Sequence, residues 1–364
     1  MTAKILEGNV LETLKDVPAC SVQCAVTSPP YYGLRDYGVD GQIGLEETPE
    51  AYVEKLVQVF REVRRVLKDD GTLWLNLGDS YNGSGKGANA DGSAGKAGKI
   101  NSGSKGTQLG TFTKSNVEGL KPKDLIGIPW MVAFALRSDG WYLRQDIIWN
   151  KPNPMPESVT DRCTKAHEYI FLLSKSKTYY YDQDAIREPY AESSLPRALR
   201  GTSENNKWVE GAPGSTAHTI SQPRKNVRKQ FEKEHGGGGS GLKGHSGYKA
   251  ADGRLLINPL GRNKWSVWEV PTVAYKEAHF ATFPPDLIRP CILAGSKEGD
   301  IVLDPLNGSG TTGEVSIMHN RSYIGCELNP DYVKLTKRRL SKVQPFIPQQ
   351  RAQQSVERTG ESLA

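Results

Sequence analysis

Two short loops near opposite ends of this chain restrict its fold more than any other feature, because each follows a run that reads as a buried strand. Residues 21–26 lead into Val26-Thr27-Ser28-Pro29-Pro30-Tyr31, and residues 300–303 lead into Asp304-Pro305-Leu306-Asn307-Gly308-Ser309-Gly310-Thr311-Thr312. Both loops then lie at carboxyl ends of strands, where open α/β sheets gather their ligands.

The surrounding pattern supports such a sheet. A short strand over 5–7 precedes a helical turn or two over 10–14, and a second strand covers 22–26. Thr48-Pro49-Glu50 supplies an N-cap, a proline at the first helical position and an acid in the first turn. The helix it opens carries Val53, Leu56, Phe60, Val63 and Leu67 at helical spacing until Gly71, and 72–77 reads as the next strand. This βαβ rhythm implies a mostly parallel sheet with helices on its faces. Further on, the pattern gives a helix over 129–138, a strand over 142–149, and a hairpin of 169–174 with 178–181. Order returns at 265–270, followed by a helix near 286–294, a strand over 301–303, a helix after Thr311 and a strand over 323–327. A last helix, capped by Asn329-Pro330, runs to about 343.

At 364 residues, one enlarged domain and one domain with an inserted lobe both fit. Residues 81–116 are mainly Gly, Ser, Lys and Asn and read as a mobile loop. The polar stretch after about 188 contains the nearly pure glycine of 236–241 and reads as the insertion. The expected division is 1–187, an inserted region 188–264, a second half 265–343 and a disordered tail 344–364.

Charge is concentrated in these tracts. The net charge is +6, yet residues 190–265 alone hold thirteen Lys/Arg against six acids, and 81–123 hold seven lysines against two acids. Two segments thus supply all the positive excess, as a phosphate-backbone footprint requires, although solvated lysine-rich tracts would look the same. Lys86, Lys96, Lys99, Lys105, Arg224, Lys225, Arg228 and Lys229 are the candidate DNA contacts there. Lys151 joins them from Lys151-Pro152-Asn153-Pro154, which reads either as a rigid wall beside the first loop or as an ordinary extended connection. No apolar run approaches the roughly 20 residues a bilayer requires, and the start has no signal-type segment, so a cytosolic protein is expected. Five scattered cysteines without a Cys-x-x-Cys pair, and six histidines without metal-ligand spacing, point to no disulfide framework and no metal.

The loops carry the chemistry. In the later one, Gly308 and Gly310 let the backbone approach a ligand, and helix N-terminal amides face its polar end. Glu327 ends the next strand, where a carboxylate can accept both hydroxyls of a ribose. Gly308, Gly310 and Gly313 also satisfy a dinucleotide-type Gly-x-Gly-x-x-Gly, but they lie near the end of the chain with no second cofactor half, which favours S-adenosylmethionine over NAD. In the earlier loop, the Ser28 hydroxyl and the Pro29 carbonyl can each take a hydrogen from an amine conjugated to a base ring. That draws the nitrogen toward tetrahedral geometry and frees its lone pair. Pro29 and Pro30 stiffen the loop, and Tyr31 offers a flat face to an extruded base. Cys291 follows Pro290, a pair that can mark a nucleophile for carbon-5 methylation, but it lies in an apolar helical run and reads as a core thiol.

With these motifs in this order, catalytic loop first and cofactor loop last, the chain resembles the beta-arrangement site-specific DNA amino-methyltransferases, which modify cytosine N4 or adenine N6. The resemblance covers roughly 4–185 and 265–343. It implies a seven-stranded, Rossmann-like sheet of circularly permuted motif order, with one antiparallel strand at its edge and an inserted target-recognition region. It also implies S-adenosylmethionine as cofactor, double-stranded DNA as partner, base flipping and direct transfer. Ser28, Pro29, Pro30 and Tyr31 would form the catalytic loop. Asp304, Leu306, Gly308, Gly310, Thr311 and Thr312 would hold the methionine part of the cofactor and Glu327 its ribose. Phe283 lies in a segment resembling the family's other cofactor element. Asn9 stands where many relatives carry Asp, and Leu306-Asn307 replaces a more usual aromatic. Val-Thr-Ser-Pro-Pro-Tyr resembles the N4-cytosine group, adenine enzymes more often placing Asp or Asn at the Ser28 position. An RNA or protein-glutamine methyltransferase and a non-catalytic DNA-binding sensor remain as alternatives. A cognate restriction endonuclease is a further partner the resemblance raises, and the sequence leaves the oligomeric state open.

Overall fold

The computed structural model describes residues 2–82, 119–190, 258, 260–273 and 283–345. The chain divides into two units, Met1–Asp182 with Trp265–Ala364, and Gln183–Lys264. Most of the loop expected over 81–116, most of the insertion, and the tail from 346 lie outside the described residues.

In the larger unit, eight strands form one sheet among the described residues: β1 (Ala3–Glu7), β2 (Val22–Thr27), β3 (Leu67–Leu77), β4 (Tyr142–Asn150), β5 (His167–Ser174), β6 (Val267–Glu269), β7 (Ile301–Asp304) and β8 (Ser322–Glu327). Their order is β1-β8-β7-β2-β3-β5-β4-β6. All six residues of β2 are buried, as a central strand covered on both faces requires. Helices α1 (Val10–Thr13), α2 (Pro49–Val66) and α3 (Ile128–Ser138) pack together, and α4 (Pro285–Gly295), α5 (Thr311–Met318) and α6 (Pro330–Leu340) form a second packed set. Thr48 caps α2 by accepting from Ala51 N at 3.1 Å, and the face of α2 bearing Tyr52, Leu56, Val59, Phe60 and Val63 is fully buried.

The fold class is the expected α/β one, with four differences. The sheet has eight strands, because the short β6 adds itself in parallel beyond β4. The antiparallel strand, β5, is not at the edge but lies between β3 and β4. The hairpin of 169–174 with 178–181 does not form: β5 pairs with β3 and β4 instead, and Tyr180, itself outside any strand, donates its N–H to Asp70 O of β3. Finally, α2 ends at Val66 and passes directly into β3, so Gly71 lies within that strand. There the register with β2 shifts, and a Cβ on Gly71 would come within 2.9 Å of Lys68 O, which explains the glycine.

The described part of the smaller unit comprises a 3₁₀ turn at Asp184–Ile186 and an antiparallel bridge of Glu188 with Arg262. Glu188 there holds both Arg262 and Lys264 at 2.7 Å. No helix among the described residues is long and apolar enough to cross a membrane.

Candidate active site

Strands β2 and β7 are neighbours, paired through Cys24 with Val302 and Ala25 with Leu303, so the loops leaving them start side by side. A buried carboxylate ties them together. Asp304 accepts Thr27 Oγ1 and Thr312 Oγ1, both at 2.7 Å, and Leu306 N at 3.1 Å. Burial pushes its pKa up to about 6, with the three donors opposing the shift. Thr312 is fully buried and faces Asp304 and Val26 O, so it acts on the loop, not on the cavity.

The later loop is shaped from below. Asn307 accepts from Tyr323 Oη at 2.6 Å and donates to Thr336 Oγ1 at 2.8 Å, which fixes the turn ahead of the glycines. Gly310 has φ of +80°, and a Cβ there would meet Thr336 Cγ2 at 2.7 Å, so only glycine fits. Gly308 has φ of +54° with open space where a Cβ would project. Glu327 accepts Gly308 N at 2.7 Å and Asn329 N at 2.8 Å, and burial pushes its pKa up to about 7. Asn9 caps α1 by accepting from Leu11 N at 2.9 Å.

Above both loops lies a cavity of about 500 Å³. Ser28, Pro29, Pro30 and Tyr31 line it, as do Asn9, Phe283, Asp304, Leu306, Gly308, Thr311, Glu327 and Lys151. Gly310 and Thr312 do not; they support it from behind. These residues fit a nucleoside-sulfonium cofactor: Gly308 leaves room beside the backbone, and the Glu327 carboxylate, anchored through one lone pair on each oxygen, keeps others for ribose hydroxyls.

The earlier loop is held at two points. Tyr52 Oη donates to Pro30 O at 2.8 Å. The Tyr31 ring lies on Gly78, where a Cβ would come within 2.5 Å of Tyr31 Cε2, and its hydroxyl donates to Glu168 Oε2 at 2.6 Å. Burial, and the Glu168 charge after it, raise the Tyr31 pKa far above the ordinary phenol value, so the phenol stays protonated. Asn76 Nδ2 donates to the same Glu168 oxygen at 3.2 Å, and Lys151 pairs with the other. Sequence reasoning missed Asn76, Gly78 and Glu168. The available signal was one polar residue, Asn76, in the apolar run Leu73-Trp74-Leu75-Asn76-Leu77.

Lys151 does not stand free on the surface. It is largely buried, paired with Glu168, and its ammonium lies 4.3 Å from the centre of the Trp149 ring. The other candidate DNA contacts, Lys86, Lys96, Lys99, Lys105, Arg224, Lys225, Arg228 and Lys229, lie outside the described residues. Cys291 is buried in α4, away from the cavity. No group of three or more His, Cys, Asp or Glu among the described residues is arranged to hold a metal.

An open, mainly parallel sheet whose adjacent strand ends place a glycine turn and a Ser-Pro-Pro-Tyr loop over one cavity defines a class, the S-adenosylmethionine-dependent methyltransferases. Residues 22–338 match the family model for N6/N4 DNA methylases, and the chain belongs to that family. It is 44% identical over 338 residues to the Type II methyltransferase M.Cfr9I of Citrobacter freundii, covering 93% of this chain and 87% of that protein. Among solved structures, it resembles the PvuII DNA methyltransferase (cytosine-N4-specific), with a TM-score of 0.55 at 17% identity, covering 96% of this chain and 90% of that one. A putative DNA modification methylase of Thermus thermophilus in complex with S-adenosyl-L-methionine gives a TM-score of 0.51 at 20% identity, covering 93% of each. The protein is thus an S-adenosylmethionine-dependent DNA methyltransferase of the N4-cytosine or N6-adenine type.

Proposed function

We propose that this enzyme methylates N4 of a cytosine flipped out of a specific site in double-stranded DNA, by direct transfer. The observation that carries the reading is a serine, Ser28, at the head of the catalytic loop in the cavity that also holds Gly308 and Glu327. The cytosine-N4-specific name of the PvuII structural relative supports the same base. Asn9, Phe283, Leu306, Gly308, Thr311 and Glu327 hold the cofactor. When bound there, S-adenosylmethionine supplies an electron-poor sulfonium methyl.

The chain's own residues prepare the nucleophile. The Ser28 hydroxyl and the Pro29 carbonyl each accept one amine hydrogen, which pulls the nitrogen out of conjugation and aims its lone pair. The Tyr31 ring, backed by Gly78 and fixed through Glu168, gives the base a rigid surface on which to stack. The inserted region, with Arg224, Lys225, Arg228 and Lys229, reads the site. Lys86, Lys96, Lys99 and Lys105 contact phosphates, and a cognate restriction endonuclease is the expected companion, as the Type II name of M.Cfr9I suggests.

The test is nucleoside mass spectrometry on plasmid DNA from cells expressing the wild type and Ser28→Ala, with long-read sequencing to locate the mark. N4-methylcytosine in one sequence context, lost in Ser28→Ala while cofactor binding persists, is expected. N6-methyladenine instead would overturn the choice of base, and full activity of Ser28→Ala would overturn the role of the hydroxyl.

A further inference from the structure

The loop between β4 and β5 carries an apolar tip at the crevice end of the sheet. Because β5 runs against both β3 and β4, those two strands are parallel, so Asn150 ends β4 on the same edge at which the catalytic loop leaves β2. Residues 151–166 turn back from that edge to β5, and Lys151 lines the cavity. Both arms of this loop are tied down. On the first arm, Asn153 exchanges hydrogen bonds with Thr272, which follows β6 and lines the cavity: Thr272 N donates to Asn153 Oδ1 at 2.9 Å, and Asn153 Nδ2 donates to Thr272 O at 3.2 Å. On the second arm, Arg162 pairs with Glu157 at 2.6 Å, and its guanidinium lies 4.0 Å from the centre of the Tyr81 ring. Asp161 pairs with Lys123 at 2.6 Å, and Lys165 Nζ donates to Asp79 O at 2.9 Å, close past the end of β3.

Between the two ties stands Pro154-Met155-Pro156. Each proline fixes its own φ, and the second keeps Met155 out of helical backbone, so the tip is extended and stiff. Met155 is 87% exposed, the most exposed large hydrophobic side chain among the described residues. At most about 7 Å of chain separates it from Asn153, whose partner Thr272 lines the cavity, so it stands at the rim. Leu34 and Val273, also exposed at this edge, line the cavity and are accounted for by what it binds; Met155 does not line it. So exposed a side chain contributes little to the fold. An enzyme that takes a base out of a duplex leaves a gap in the stack, and an unbranched apolar side chain on a stiff tip is suited to enter it.

We infer that Met155 is the wedge that enters the duplex where the target base has left it, and so is a positioning residue for methyl transfer. It occupies the vacated space and keeps the base from returning, while the base itself lies in the cavity against Tyr31. This rests on the extrusion of a base from double-stranded DNA proposed above. The ties at Asn153 and Arg162 hold the tip at a fixed place beside the cavity mouth, so the wedge enters without a loop having to order first.

The experiment is single-turnover transfer of labelled methyl to two duplexes carrying the site, one fully paired and one with an abasic position opposite the target base, with cofactor affinity measured by calorimetry on each variant. Met155→Ala, which leaves both prolines in place, is expected to lose roughly 30-fold in rate on the paired duplex and no more than about threefold on the abasic one, where the extruded base has no partner to return to. Met155→Leu keeps an apolar wedge and is expected within about threefold of wild type on both duplexes. Cofactor affinity is expected to be unchanged in both variants. Met155→Ala within about threefold of wild type on the paired duplex, or an equal loss on the two duplexes, overturns the inference. If Met155→Ala also loses cofactor affinity, the comparison of the two duplexes still decides, because a disturbed fold slows both alike. A wild-type enzyme that labels no double-stranded DNA would instead overturn the proposed function.

Discussion

Asp304→Asn removes a buried charge while keeping every atom position, so it isolates what that charge costs the fold. The carboxylate is almost completely buried and accepts three hydrogen bonds, yet burial still pushes its pKa from 3.8 to about 6. A pKa raised in the folded state means that the folded protein holds this proton more tightly than the unfolded chain. The resulting stabilisation is complete below pH 3.8 and is lost as pH rises through about 6. At about 1.36 kcal/mol per pH unit, the interval is worth ~3 kcal/mol.

Asparagine can satisfy the same neighbours. Its oxygen accepts from Thr27 and Leu306 N, and its NH₂ donates to Thr312 Oγ1, whose proton turns to Val26 O at 3.4 Å. The variant lacks the titration, so its stability relative to wild type should improve by ~2.4 kcal/mol between pH 4 and pH 8, whatever fixed cost the substitution carries. Glu327 titrates in both proteins, and loss of the Asp304 charge eases its ionisation, which moves the difference in the same direction. Paired urea denaturation curves at each pH, read by tryptophan fluorescence, measure it. A difference constant to within about 1 kcal/mol across that range would refute the reasoning.

Three other substitutions probe the two loops. Gly308→Val places a branched side chain at φ of +54° and into the open cavity, and should weaken cofactor binding at least ~100-fold by calorimetry. Gly78→Ala puts a Cβ within 2.5 Å of Tyr31 Cε2 at a site with no positive φ, so its effect is purely steric. Methyl transfer should fall ~10-fold or more while cofactor affinity holds, and equal loss of both would show that the fold, not the ring, has moved. Glu327→Gln turns one of the acceptors of Gly308 N and Asn329 N into a donor and should raise the cofactor Kd ~10- to 100-fold by equilibrium dialysis.

The parts legible in the sequence were those encoded locally. Buried strands such as Val22–Thr27 and Ile301–Asp304 announce themselves as short apolar runs, and prolines and glycines mark the loops that leave them. The helix opened by Thr48-Pro49 was legible because its cap and apolar face lie within one segment. The rest depends on partners remote in sequence. Residues 178–181 have the aromatic and β-branched character of a strand, but both edges of β5 are taken by β3 and β4, so no hairpin can form. Glu168 and Asn76 could not be linked in advance, because 92 residues separate them and only the direction of β5 brings them together. Asp304 looked like a ligand contact, and nothing local showed that Thr27, 277 residues away, claims its carboxylate.

Why the two motifs can occupy opposite ends of the chain follows from the sheet. From β7 the chain runs through α5 to β8 on one side, and from β2 it runs through α2 to β3 on the other. Both crossovers join parallel neighbours, and with the usual right-handed connection opposite directions of travel put the two helices on opposite faces of the sheet. The packing agrees, with α2 among α1 and α3 and α5 among α4 and α6. The chain therefore parts at the carboxyl ends of β7 and β2, leaving a crevice there whichever strand is synthesised first. What the site requires is adjacency in the sheet, secured by Ala25 opposite Leu303 and by Asp304 between Thr27 and Thr312. Order along the chain does not enter, so the long segment between the two loops is free to carry an insertion without disturbing the crevice.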